Sequence, residues 1–180
     1  MRGIVEGSGP GRVLVRWSCV GYLVGGLGSS AGAGGDYVSR SSPLRPALED
    51  RIPDLKRARQ GARERLGDPQ CLAVLTDFES VNGGRLDLVL RASGRTAQEQ
   101  LDLLVFESGL GRPTCDRRVS LAFTQVHSSV VSICLRPFTL LRRGEQEAVL
   151  IHEMLHSLGL GENPPESVAI TAQVLKRCAH

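Results

Sequence analysis

The stretch Ile151-His152-Glu153-Met154-Leu155-His156-Ser157-Leu158-Gly159-Leu160-Gly161-Glu162 decides how the rest of the chain is read. At about 100° per residue, Ala148, Leu150, Ile151, Met154, Leu155 and Leu158 cover most of a helix circumference, and His152, Glu153 and His156 share the remaining sector. An apolar helix with one ionisable strip reads as a buried helix whose strip faces a cleft. The histidines stand four apart, so both imidazoles lie on one face and can share a metal ion, with Glu153 beside them as a general base. Glu145 and Glu147 precede the strip, where carboxylates favour a helix N-terminus. A catalytic zinc site takes three protein ligands and keeps one position open. Gly159 lets the chain turn back after the helix, which makes Glu162 the candidate third ligand. Glu166 is its rival. Asn163-Pro164-Pro165-Glu166, however, has the form of a capped helix start in which Glu166 completes a capping box. A helix should then run through Val168, Thr171, Ala172 and Leu175 to Cys178. Glu166 thus has a structural use, Glu162 has none, and Glu162 is preferred as ligand.

The pattern H-E-x-x-H-x-x-G-x-x-E resembles the extended motif of the metzincin metalloproteases, with Glu where that family usually has His or sometimes Asp. More broadly it resembles the zincin-like metallopeptidases. The chain departs from the metzincin pattern in having no methionine turn, since its two methionines are Met1 and Met154. Little chain follows Glu162 for the gluzincin arrangement, in which a separate downstream helix supplies a glutamate. The resemblance implies an α+β, zincin-like fold, with a small antiparallel β-hairpin or sheet packed on the active-site helix and with N- and C-terminal helices. It also implies Zn²⁺ on His152, His156 and Glu162, with Glu153 as the catalytic residue. The activity implied is zinc-dependent hydrolysis of a peptide or protein substrate lying along a strand edge. His127, an arginine and a backbone amide all stay open as oxyanion donors. A competing reading is a secreted, non-catalytic zinc-binding or protein-interaction domain stabilised by disulfides, its metal closed by a fourth ligand such as His127 or His180. In a third, the histidines line a buried helix and bind no metal.

Working outward, Val119 to Thr124 and Val130 to Leu135 are β-prone runs around Gln125 to Ser129, a hairpin with His127 in its exposed turn. A turn centred near Val126 and His127 brings Cys134 opposite residue 119, a few positions from Cys115. That favours a Cys115–Cys134 disulfide. Cys71 pairs with Cys178 in the same scheme, with no local argument of its own. From Leu48, apolar residues at Ile52, Leu55, Ala58, Ala62 and Leu66 predict an amphipathic helix, with Lys56, Arg57, Arg59 and Arg63 as its solvated face and Gly67-Asp68-Pro69 as its end. Thr96-Ala97-Gln98-Glu99 predicts a capping box that starts a short helix carrying Leu101 and Leu104. Asn82-Gly83-Gly84 marks a turn. Residues 72–92 read equally as helix or strand.

Residues 1–33 combine Arg2, Arg12 and Arg16, the short apolar run Val20 to Leu27 and the small-residue site Ala31-Gly32-Ala33, as a secretory signal peptide does. Eleven of the 21 glycines fall before residue 36, and Gly, Ser and Pro continue through 34–46, a flexible linker. The catalytic domain is then 47–180. Cleavage after Ala33 removes Cys19 and leaves four of the five cysteines, an even number suited to two disulfides in a secreted or periplasmic bacterial protein. The chain carries 22 basic and 19 acidic residues with no basic stripe, so nothing points to nucleic acid. No apolar run reaches the ~18 residues of a membrane span, so no membrane association is expected after processing. The oligomeric state is left open.

Overall fold

The computed structural model describes residues 47–116 and 120–178, so the expected signal peptide (1–33), linker (34–46) and His180 lie outside the described residues. The described fold is α+β. Its elements in order are helices α1 (Leu48–Arg51), α2 (Pro53–Arg65), α3 (Pro69–Leu72), α4 (Leu86–Ala92) and α5 (Ala97–Asp102), strand β1 (Val105–Ser108), helix α6 (Pro113–Asp116), strands β2 (Ala122–Thr124) and β3 (Val130–Ile133), and helices α7 (Leu135–Thr139), α8 (Arg143–Ser157) and α9 (Ser167–Cys178).

The predicted first helix is divided at Ile52, which is extended at φ −129°, ψ 92°. Pro53 is the cause: its ring disfavours helical backbone at the preceding residue, and its missing N–H suits the first turn of α2. Leu55, Ala58 and Ala62 turn inward as expected, and Gly61 lies so close to α8 that a Cβ there would strike the Glu147 side chain. The basic face is not simply solvated. Arg59 pairs with Glu49 and covers the Phe106 ring, while Arg63 bonds Asp102 at 3.0 Å. Asn82-Gly83-Gly84 forms the predicted turn, with both glycines at positive φ, and the undecided 72–92 region resolves into a 3₁₀ turn (Ala73–Thr76), this turn and α4. The Thr96 capping box is present, its amide held by Glu99 at 2.8 Å and its hydroxyl accepting from the Glu99 amide at 3.2 Å.

The sheet is mixed rather than an antiparallel hairpin alone. β3 is central, antiparallel to β2 with Ala122 opposite Ile133, and parallel to β1 with Val105 opposite Val130. β1 is the unexpected strand. The hairpin is offset by two residues from the expected register, because the turn centres between His127 and Ser128, one residue later than expected, so Cys134 meets Leu121, whose carbonyl accepts from the Cys134 amide at 3.0 Å. Cys115–Cys134 is nonetheless a disulfide, as is Cys71–Cys178. The first forms for a different reason than the hairpin register: β1 runs parallel beside β3, so the chain leaving β1 through α6 ends next to the residue that leaves β3. The second closes a separation of 107 residues, for which the chain-entropy account gives a stabilisation of roughly 4–5 kcal/mol.

Every residue of α8 from Gln146 to His156 is buried, among them Leu150, Ile151 and Leu155, and α2, α5, β2 and α9 pack around it. Glu145 accepts from the Arg142 amide at 2.8 Å and so serves the helix start. Glu147 does not. It is buried, paired to Arg65 and to Arg143 at 2.9 Å, and ties α8 to α2. α9 begins at Ser167, not at the proline pair; the Glu166 carbonyl accepts from the amides of Ala169 and Ile170 at 2.9 and 3.1 Å, and Asn163 lies in a separate turn at φ 59°. The inward face of α9 is Ile170, Val174 and Cys178, while Val168 is exposed. The helix is therefore rotated from the expected stripe.

The outer side of α9 is anchored to Asp77, which accepts from Arg177 at 2.7 and 2.8 Å and from Gln173 at 2.6 Å. The Arg177 bond, opposed by desolvation and helped by Gln173, holds the Asp77 carboxyl below its ordinary 3.8. A depressed carboxyl stabilises the fold above its unfolded pKa and loses that contribution as pH falls through the folded value. Asp77→Asn should therefore cost at most about 1 kcal/mol at neutral pH, given solvent screening, and less at an acid pH below the folded pKa of Asp77. Urea melts of both proteins at the two pH values check this. A difference that persists unchanged in acid would remove the assignment.

Candidate metal centre

The C-terminal end of α8 builds the site. Gly159 takes φ 107° and its amide returns to the His156 carbonyl at 2.9 Å, ending the helix. No side chain fits there: a Cβ would clash with the His127 ring and lie 2.7 Å from Ser80 Oγ. The turned-back chain is then held by a bridge between Ser80 and Leu160 and by the Val81 amide on the Gly159 carbonyl at 2.8 Å. This carries Glu162 back over the histidines.

His152 and His156 are buried, with their Nε2 atoms 2.9 Å apart. Glu162 Oε1 lies 3.4 Å from His152 Nε2 and 3.3 Å from His156 Nε2. These three residues form the group among the described residues that could hold a metal ion, their ligand atoms all within 4.8 Å of one another. Glu166 is exposed and takes no part. His127 is also outside the group. Its backbone amide donates to the His156 carbonyl at 2.9 Å, but its ring meets Asn82 at 3.2 Å and does not line the cleft.

Compared with family models, curated proteins and solved structures, the chain matches none. The chemistry of the centre is therefore read from its own residues.

The outer ring nitrogens are also occupied. His156 Nδ1 donates to the Leu160 carbonyl at 2.8 Å, and His152 Nδ1 lies 2.9 Å from Thr171 Oγ1 on α9. Such partners orient metal-binding imidazoles. In the sequence Thr171 reads as a member of the apolar stripe of α9, and its hydroxyl among apolar neighbours is the one local sign of a polar partner. Burial, then the neighbouring His156, lowers the His152 pKa to about 4 against the pull of Glu162, so the ring is neutral at physiological pH. Burial, then the charge of Glu162, pushes the Glu153 carboxyl up to about 8, and the Thr124 amide opposes this. Glu153 Oε2 is buried without a hydrogen-bond partner among the described residues.

Two lobes of one cleft meet at Ser120, Ala122, Glu153 and Ser167. One, about 480 Å³, runs along β2 past His156 and Glu162. The other, about 380 Å³, is lined by His152 and by Leu121, Val149, Val168 and Leu175.

Proposed function

We propose that this chain is an exported zinc-dependent peptidase of zincin-like type, hydrolysing peptide bonds in a peptide or protein substrate. The observation that carries the reading is the convergence of His152, His156 and Glu162 next to a buried carboxyl, Glu153, one oxygen of which lacks a partner. Two imidazoles and one carboxylate are a donor set that zinc takes at catalytic centres, and a three-membered group fits an open position. Glu153 lines the same cleft, and its partnerless oxygen fits a carboxyl whose proper partner is substrate or water. The two disulfides suit an oxidising compartment. No helix of the described residues is long and apolar enough to cross a membrane.

Zinc, when bound, lowers the pKa of water from 15.7 to ~7 and polarises a substrate carbonyl. Glu153, held ionised by the positive charge of a bound metal ion that offsets its burial, accepts the proton of the attacking water and returns it to the leaving amine. The Thr124 amide orients the carboxyl for this, and burial keeps it away from bulk water. The free edge of β2, on the side away from β3, offers backbone groups to an extended peptide through strand addition. The apolar lobe beside His152 suits an apolar side chain of that peptide. Glu162 and Gly159 keep the ligands assembled at the cleft floor.

Metal analysis of the purified protein should find one zinc per chain. A mixed peptide library should be cleaved, cleavage should stop with a chelator and return with added zinc, and the products should be read by mass spectrometry. Absence of metal would sink the whole reading. Stoichiometric zinc with no cleavage would leave the non-catalytic zinc-binding domain in its place.

A further inference from the structure

We propose that Thr171 is a positioning residue that keeps the outer nitrogen of His152 bonded in either tautomer, so that α9, which supplies no ligand, lets His152 turn a lone pair to the metal ion without leaving a buried N–H unpaired. The inference rests on the metal reading above and extends it to a residue outside the motif.

The argument is an accounting of protons. A carbonyl oxygen only accepts, so the 2.8 Å contact with Leu160 fixes a proton on His156 Nδ1 and leaves a lone pair on its Nε2. No such rule fixes His152, because its partner is a hydroxyl, which both donates and accepts. Two arrangements satisfy the distances. In one, Thr171 donates to His152 Nδ1, and His152 carries its proton on Nε2 and donates it across 2.9 Å to His156 Nε2. That proton then occupies the space between the ligands. In the other, His152 Nδ1 donates to the Thr171 oxygen, and the lone pairs of His152 Nε2, His156 Nε2 and Glu162 Oε1 all converge. Their mutual repulsion is offset only by a cation. Passing from the first to the second takes the proton off His152 Nε2 and puts one on Nδ1, by exchange with water, and the Thr171 hydroxyl turns from donor to acceptor, so the outer bond of His152 exists in both.

An alkyl side chain at this position serves neither arrangement. It would leave Nδ1–H of a metal-bound His152 buried and unpaired, which costs free energy against binding. The hydroxyl is also held in place from outside the site. Ile170 and Val174 bury the adjoining face of α9, Cys178 is bonded to Cys71, and Arg177 and Gln173 grip Asp77. These attachments fix the height of Thr171 against His152 without touching the ligands.

The test compares wild-type protein with Thr171→Val, which keeps the shape and removes the hydroxyl, and with Thr171→Ser, which keeps the hydroxyl. Zinc affinity is measured by competition with a chromogenic chelator, and thermal melts monitor folding. Thr171→Val should lose about 10–100-fold in zinc affinity, the range expected for an outer partner of a ligand. Thr171→Ser should stay close to wild type. In zinc-loaded wild-type protein, nitrogen-15 NMR of the imidazoles should find the His152 proton on Nδ1. Should Thr171→Val not fold, Thr171→Ala carries the same comparison. Equal affinity for the valine and wild-type proteins overturns this inference alone, as does a serine variant as weak as the valine one. A wild-type protein that takes up no zinc overturns the metal reading with it.

Discussion

Glu153→Gln should keep one zinc per chain and lose peptide hydrolysis by about 10²–10⁴-fold, the contribution of a positioned general base. The substitution is close to isosteric, and the residue is only 4% exposed, so packing around it is retained. Glu153 is not among the three converging residues that could hold a metal ion, so removing its charge should not dismantle the centre. The amide oxygen of glutamine can still accept from the Thr124 backbone, which leaves the amide nitrogen where Oε2 lacks a partner. Burial already disfavours the charged form of this carboxyl, so a neutral side chain should not lower the melting temperature. What disappears is the ability to accept a proton from water and return it. The check is paired: zinc by metal analysis and turnover on the same preparation. Zinc loss would make Glu153 a structural member of the centre, and unchanged turnover would remove it from the chemistry.

What could be read in the sequence was local. α8 follows from a 3.6-residue apolar pattern interrupted by one ionisable strip, and its buried face needs no other part of the chain to be recognised. Glu162 follows from the same segment, because a glycine at the helix end dictates where the chain turns. The hairpin is legible from two β-prone runs, but its register depends on where the turn is centred, and moving that centre by one residue shifts every pair by two. β1 left no such trace. Val105-Phe106-Glu107-Ser108 is short, follows directly on a capped helix, and finds its partner in parallel across some 25 residues, where no turn chemistry announces the pairing. The Cys115–Cys134 bond was thus expected from the hairpin, yet it depends on the strand that was not expected. Glu147 and Thr171 show the same limit. One reads as a helix-dipole residue and the other as core, but each is defined by a partner on another helix, Arg65 for the first and His152 for the second.

Glu162→Ala should weaken zinc binding beyond the ~10–100-fold loss that follows from disturbing an outer partner, while Glu166→Ala should leave it unchanged. The two glutamates are four residues apart in one short connection, so the comparison holds local sequence, charge and exposure nearly constant. Glu162 Oε1 sits 3.3 and 3.4 Å from the two imidazole nitrogens, and its side chain is 39% exposed, so its loss removes the proposed third ligand without opening the core. Glu166 contributes a backbone carbonyl to the first turn of α9, and that carbonyl survives the substitution. Its side chain is exposed, which keeps the expected stability cost small. Removal of Glu162 also takes away the negative charge that adds to burial in raising the Glu153 carboxyl. Chelator competition on both variants, with melts to confirm folding, separates the possibilities. Equal zinc loss in the two would mean that the loop rather than the Glu162 carboxylate holds the ion, and retention in Glu162→Ala would reduce the protein contribution to the two histidines.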